Sequence, residues 1–184
     1  MSFVFISHPS CGLHDAGEDH PESPDRLHAI NDQLIASRLD FVIDKQQASK
    51  ATKAQLYLAH DNAYVDHVFA SAPEQGVVEL APDTQMAPRS LEAALYAAGA
   101  NVMAVDLVMQ GKADQAFCAV RPPGHHAEYA KSMGFCFFNN VAVAAAYAMA
   151  QYGLKRIAII DFDVHHGNGT ENIFFNDDRV LFCS

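Results

Sequence analysis

The run Arg156-Ile157-Ala158-Ile159-Ile160, followed at once by Asp161-Phe162-Asp163-Val164-His165-His166-Gly167-Asn168-Gly169, limits what this chain can fold into more than any other stretch. An apolar, β-branched run that ends in Asp, Asp, His and His before a glycine-rich turn reads as a buried strand delivering charged groups to a site. In an extended chain alternate side chains share a face, at a rise of about 3.3 Å per residue. Asp161, Asp163 and His165 then point the same way, and a carboxylate and an imidazole can meet on one cation. Zn²⁺ accepts Asp oxygen and His nitrogen at about 2.0–2.2 Å, and a catalytic zinc has three protein ligands plus an open position. This segment supplies two of those ligands. Gly167 and Gly169 read as the positive-φ positions of a tight turn.

A second stretch, Arg121-Pro122-Pro123-Gly124-His125-His126-Ala127-Glu128 and then Met133-Gly134-Phe135-Cys136-Phe137-Phe138-Asn139-Asn140, also follows an apolar run, Ala116 to Val120. Tandem prolines and a glycine end any regular element there. With ten His in 184 residues, roughly 0.5 adjacent pairs arise by chance, so pairing alone says little. Position says more. Both pairs lie just past a predicted strand, and parallel α/β sheets carry their ligand sites at the carboxyl ends of strands.

The remaining pattern alternates strand and helix. Strands are expected over 3–7, 41–43, 116–120, 156–160 and 180–183. Helices are expected from Ser23 as cap with Pro24 first, over 50–59, over 62–71 with Asp61 as cap, and over 90–109, 140–152 and 170–175. Residues 72–88 read as a long loop. The almost wholly apolar helix over 140–152 is shorter than the roughly 20 residues that span a bilayer, so it reads as an interior helix. This alternation predicts one α/β domain over 1–184, an open parallel sheet with helices on both faces.

A formal net charge of -10 argues against direct contact with nucleic acid and would favour encounter with cationic ligands. Cys11, Cys118, Cys136 and Cys183 are widely spaced, without Cys-x-x-Cys, and read as reduced thiols; Cys136 reads as core filler rather than a reactive group. The opening residues lack a basic segment leading into a long apolar one. A cytoplasmic enzyme with no membrane partner is the resulting expectation.

The blocks RPPGHHAE, GFCFFNNVAVAAAYA and DFDVHHGNGT, in this order and spacing, resemble the histone deacetylase family, in particular its class II and bacterial acetylpolyamine-amidohydrolase-like branch. The N-terminal block HPESPDRL, from His20, and Asp83-Thr84 are similar to further family blocks. The resemblance implies the open arginase-like α/β fold and hydrolysis of the amide of an acylated lysine or polyamine. It makes Asp163 and His165 ligands of Zn²⁺, with Fe²⁺ or Co²⁺ as substitutes, and His125 and His126 the tandem active-site histidines. Asp161 would orient His125 and Asn168 would partner His126; class I members carry Asp at the latter position and class II members Asn. Gly134 and Phe135 would line the substrate tunnel. A structural K⁺ or Na⁺ would be held around Asp161, Asp163, His165 and Ser184. Arg26 would lie near the inner end of the pocket.

The family's third metal ligand, a second Asp, and its oxyanion-stabilising Tyr lie further along than Ser184. The chain is therefore similar to an N-terminal portion of the family's domain, lacking the last strands. A zinc site of Asp163 and His165 alone is expected to be open and weak. The polypeptide by itself is then expected to bind Zn²⁺ poorly, to lack deacetylase turnover and to self-associate through an uncovered sheet edge. The alternative function is a catalytically incompetent binding module. A binuclear Mn²⁺ ureohydrolase would want further Asp ligands and would lack the tandem His after Pro-Pro-Gly.

Overall fold

The computed structural model describes residues 2–17 and 20–184. Strand β1 (Phe3–Ser7) is covered on both faces, as a near-continuous apolar run requires. Val4 and Ile6 pack with Ala100 of helix α4 (Ser90–Met109), whereas Phe5 packs with Leu27 of helix α1 (Asp25–Ala36). β1 pairs in parallel with β2 (Asp44–Gln47) on one side and with β5 (Gln115–Cys118) on the other. A second parallel pair joins β6 (Ile157–Ile160) to β7 (Val180–Cys183).

Helix α1 begins one residue later than the Ser23 cap suggests: Pro24 is the cap residue, and Ser23 Oγ accepts the Asp25 N–H. Helix α2 (Lys53–Leu56) is shorter than expected and opens on a reciprocal capping box between Thr52 and Gln55. Helix α3 (Asn62–Ala70) has the Asp61 carboxylate accepting the Tyr64 N–H. Two regions differ in kind. The expected strand over 41–43 is displaced to the polar segment Asp44–Gln47, while Phe41 and Val42 are 82% and 77% exposed. β2 is an edge strand paired through its backbone, and such strands carry polar side chains. The expected loop over 72–88 contains an antiparallel hairpin, β3 (Val78–Ala81) and β4 (Thr84–Met86), whose strands are too short to show alternation.

Helix α4 is long and apolar enough to cross a bilayer by length and composition. Its small residues Ala94 and Ala98 pack instead against Ala142, Ala145 and Ala146 of helix α5 (Asn140–Tyr152) in the main core. Gly153 closes α5 in the left-handed conformation. Ile157 and Ile159 of β6 turn towards that core, but on the other face Ile160 and Leu181 are 72% and 63% exposed. Among the described residues β5 and β6 do not pair; a groove lined by Cys118, Val120, Val141, Ile159 and Ile160 runs between them.

Two buried imidazoles stiffen this frame. His60 Nε2 accepts the Asn139 N–H at 2.9 Å and its Nδ1 lies 2.9 Å from the Glu128 carbonyl, so the ring is neutral and bridges two loops. His14 Nδ1 sits 2.8 Å from Ser90 Oγ. Burial lowers each to about 4; Glu22 counteracts it at His14, and the Glu128 and Tyr129 carbonyls do so at His60. Both values lie below the unfolded 6.5, so the unfolded chain binds these protons first, and stability falls as pH drops from about 6.5 to about 4. By pH 5 the loss is expected to reach about 2 kcal/mol per ring. Urea unfolding at pH 7.5 and 5 measures it; an unchanged midpoint contradicts buried neutral rings.

Candidate active site

Both His-bearing segments leave the carboxyl ends of parallel strands, β5 and β6. The first is anchored by Arg121, which is fully buried. Its guanidinium grips Glu22 at 2.8 and 2.6 Å and donates to the Cys11 and His14 carbonyls at 3.0 and 3.1 Å. Arg26 closes the strand end by donating to the Val120 carbonyl at 3.0 Å. Asn139 caps α5 and donates to the Ala127 carbonyl at 3.2 Å.

The second segment is not a continuation of the strand. β6 ends at Ile160, and the chain then folds back on its own carboxylates. Asp161 Oδ1 accepts the Asp163 N–H at 3.1 Å, and Asp163 Oδ1 accepts the His165 N–H at 2.8 Å. Such side-chain turns are what Asp does after a strand, and they replace the pleat expected from the sequence. Asp163 and His165 nevertheless converge, with Asp163 Oδ1 3.2 Å from His165 Nδ1. The His165 backbone N–H holds the Asp163 carboxyl below its ordinary range, with His125 and the His165 ring adding to the effect.

The two segments meet. Asp161 Oδ2 lies 2.8 Å from His125 Nδ1, both side chains being largely sheltered, and Asn168 Oδ1 lies 2.6 Å from His126 Nδ1. The His125 and His126 ring centroids are 4.0 Å apart, and the His126 and His165 centroids 5.9 Å. Helix α6 (Asn168–Phe174) docks its first turn here, its Gly169 and Thr170 N–H groups donating to the His125 carbonyl. Gly167 and Gly169 are not positive-φ turn positions. A Cβ on Gly167 would lie 2.3 Å from Asp161 Oδ2, and one on Gly169 2.3 Å from the Ala127 carbonyl oxygen. Close approach, not turn geometry, is their reason.

Gly134 lies against the His126 ring, and Phe135 follows it with φ 68, a left-handed conformation unusual for a side chain of its bulk. Asp83 and Thr84 hold this turn: the Asp83 carboxylate accepts the Gly134 N–H and Thr84 Oγ1 the Phe135 N–H. Asp83-Thr84 stands out in the sequence, but nothing local reveals this contact, since the partners lie 51 residues apart. Cys136 is buried and its thiol is pushed up to about 12 by that burial, which removes it as a nucleophile. Ser184 Oγ accepts the Gly167 N–H at 3.0 Å and so joins the loop carrying Asp161, Asp163 and His165. His8 stacks on Tyr96 and stays apart from this cluster.

As a metal site the donor set is partial. Asp163 Oδ1 and His165 Nδ1 stand at 3.2 Å, close to the roughly 3.4 Å that separates two donors on one tetrahedral Zn²⁺. Among the described residues no third His, Cys, Asp or Glu joins them in a metal-holding group.

Residues 20–184 match the family described as histone deacetylase domain. The chain is 41% identical to histone deacetylase 5 of Arabidopsis thaliana, over 91% of this chain and 27% of the relative. It is 37% identical to the polyamine deacetylase HDAC10 of Homo sapiens, over 94% of this chain and 26% of the relative. The crystal structure of the HDA15 HD domain superposes with a TM-score of 0.93 at 36% identity, over 98% of this chain and 52% of that one. The chain thus spans about half of that solved domain and about a quarter of these two relatives.

Proposed function

The chain belongs to the histone deacetylase family, and from that premise we propose that its clustered histidines serve the metal-dependent hydrolysis of an acylated lysine or acylated polyamine. The observation that carries this reading is the unlike pairing of adjacent imidazoles beside a metal-donor pair: His125 faces a carboxylate and His126 an amide oxygen. Two identical surface histidines have no reason to be tied so differently.

Asp163 and His165 would hold the cation, Zn²⁺ or in its place Fe²⁺ or Co²⁺. When bound it supplies Lewis acidity, polarising the acyl oxygen and lowering the pKa of its water towards about 7. His126, with Nδ1 engaged by Asn168, has Nε2 available to take a proton from the attacking water and return it to the departing amine nitrogen. His125, backed by Asp161, stabilises negative charge developing on the acyl oxygen. Gly134, lacking a Cβ, lets the backbone lie directly against the His126 ring, and the left-handed Phe135 beside it would form the wall along which the substrate's acylated arm runs. Asp161, Ser184 and the carbonyls of the 161–165 loop form the proposed seat of K⁺ or Na⁺. The formal charge of -10 draws cationic amines towards the site.

A second reading, a binding module that holds an acylated amine without cleaving it, is favoured by the two-donor metal set of the described residues. Acetate release from acetyl-lysine peptide and acetylpolyamine, with added Zn²⁺, separates the two. The 184-residue polypeptide assayed alone is expected to bind Zn²⁺ weakly, to release no measurable acetate and to self-associate through β6–β7, where Ile160 and Leu181 are exposed. Joined to the part of the family domain outside its match, it is expected to turn over. Substrate binding without release in that longer form would instead establish the module; turnover by the monomeric polypeptide alone would overturn the two-donor account.

A further inference from the structure

We propose that Glu128 is a positioning residue: it fixes which end of the Asn168 amide faces His126, and thereby which nitrogen of His126 carries the proton. The proposal rests on His126 acting as proton acceptor.

Asn168 Nδ2 has two neighbours, Glu128 Oε1 at 3.1 Å and Met133 Sδ at 3.5 Å. A carboxylate and a thioether only accept hydrogen bonds. The end of the amide between them is therefore the NH₂ group, with one hydrogen for each. The other end, Oδ1, is left 2.6 Å from His126 Nδ1. A carbonyl oxygen also only accepts, so Nδ1 must be the protonated nitrogen, and a neutral imidazole protonated there has a bare Nε2. Turned over, the same amide would donate to Nδ1 and leave the proton on Nε2, where it blocks acceptance from water.

His126 alone cannot set this orientation, because a neutral imidazole suits either end of an amide. Aspartate at 168 would need no help, since both its oxygens accept. Asparagine does need it, and Glu128 is placed to give it. Its own backbone is pinned on both sides: its N–H donates to the Lys131 carbonyl at 3.0 Å, and its carbonyl faces the buried His60 Nδ1 at 2.9 Å.

The test is the tautomer of His126, read by long-range ¹⁵N–¹H NMR on the metal-free 184-residue chain above the pH range in which imidazoles titrate. The wild-type ring is expected as the Nδ1–H form. Glu128→Gln keeps the shape, but its amide can donate as well as accept, so the ratio of Nδ1–H to Nε2–H should fall by about tenfold, the weight of one hydrogen bond to a charged group. Asn168→Asp in the Glu128→Gln background should restore the wild-type ratio, because orientation no longer matters; a merely structural loss would not be repaired. An unchanged ratio in Glu128→Gln, or a double variant that stays depressed, overturns the proposal. Should Glu128→Gln fail to fold, Glu128→Ala, which removes the acceptor altogether, gives the same comparison: a fallen ratio supports the proposal and an unchanged one overturns it. The readout uses neither substrate nor metal, so an inactive protein with the expected tautomers counts against the hydrolase reading alone.

Discussion

Replacing Arg121 with Met is expected to destabilise the protein by about 3–5 kcal/mol, the cost of leaving one partner of a buried ion pair behind. Arg121 is fully buried and Glu22 is 9% exposed, and the guanidinium reaches both Glu22 oxygens. Met fills the volume of the arginine stem, so the loss reports the charge and the hydrogen bonds rather than a cavity. It also frees the Cys11 and His14 carbonyls, which accept from the same guanidinium. The effect reaches the site because Arg121 is the root of the segment that carries His125 and His126. Adding Glu22→Leu to the variant should recover part of the stability, since it removes a buried carboxylate left with only Arg26 at 3.4 Å and the His14 ring at 3.6 Å. Urea unfolding of both variants measures this. A single variant within about 1 kcal/mol of wild type would show that the pair contributes little beyond an exposed salt bridge.

Substituting Gly134 with Ala is expected to damage both stability and the site. At φ +55 an L side chain pays about 1–2 kcal/mol for the left-handed backbone. Its Cβ would also fall 2.2 Å from His126 Cδ2 and 2.5 Å from Cγ, distances at which something must move. The turn is held by Asp83 and Thr84, and the ring by Asn168, so neither yields freely. A loss of about 3 kcal/mol is expected from strain and overpacking together. In a form that turns over, displacement of the ring by about 1 Å should lower acetate release by about 100-fold. Unperturbed His126 ring signals at wild-type stability would contradict this packing.

The parts of the fold legible in the sequence are those where local pattern and burial agree. β1 is a continuous apolar run because both faces are covered, and α4 and α5 keep the bounds that their apolar composition and Gly153 suggest. β2 was hidden because an edge strand is held by backbone hydrogen bonds, and its side chains Asp44 to Gln47 advertise a loop. The β3–β4 hairpin was hidden by its brevity.

The site divides in the same way. Asp161, Asp163, His165 and the tandem histidines stand out because ionisable groups gathered where parallel strands end mark the place where such sheets carry their ligand sites. The side-chain turns that bring Asp163 to His165 are local, yet a strand period extrapolated past Ile160 conceals them. The ties that hold the site together carry no local signature: Arg121 and Glu22 lie 99 residues apart, and Asn168 and Glu128 40 apart. Glu128 belongs to a conspicuous motif, but only its contact with the Asn168 amide reveals what it does there.

A Zn²⁺ titration followed by the imidazole NMR signals tests most directly whether Asp163 and His165 hold a cation beside the tandem histidines. One weakly bound equivalent is expected to move the His165 and His126 signals together, and both Asp163→Asn and His165→Ala should abolish the response. Zn²⁺ that binds undiminished in those two variants, or that perturbs only the exposed His166–Glu171 pair, would contradict that assignment.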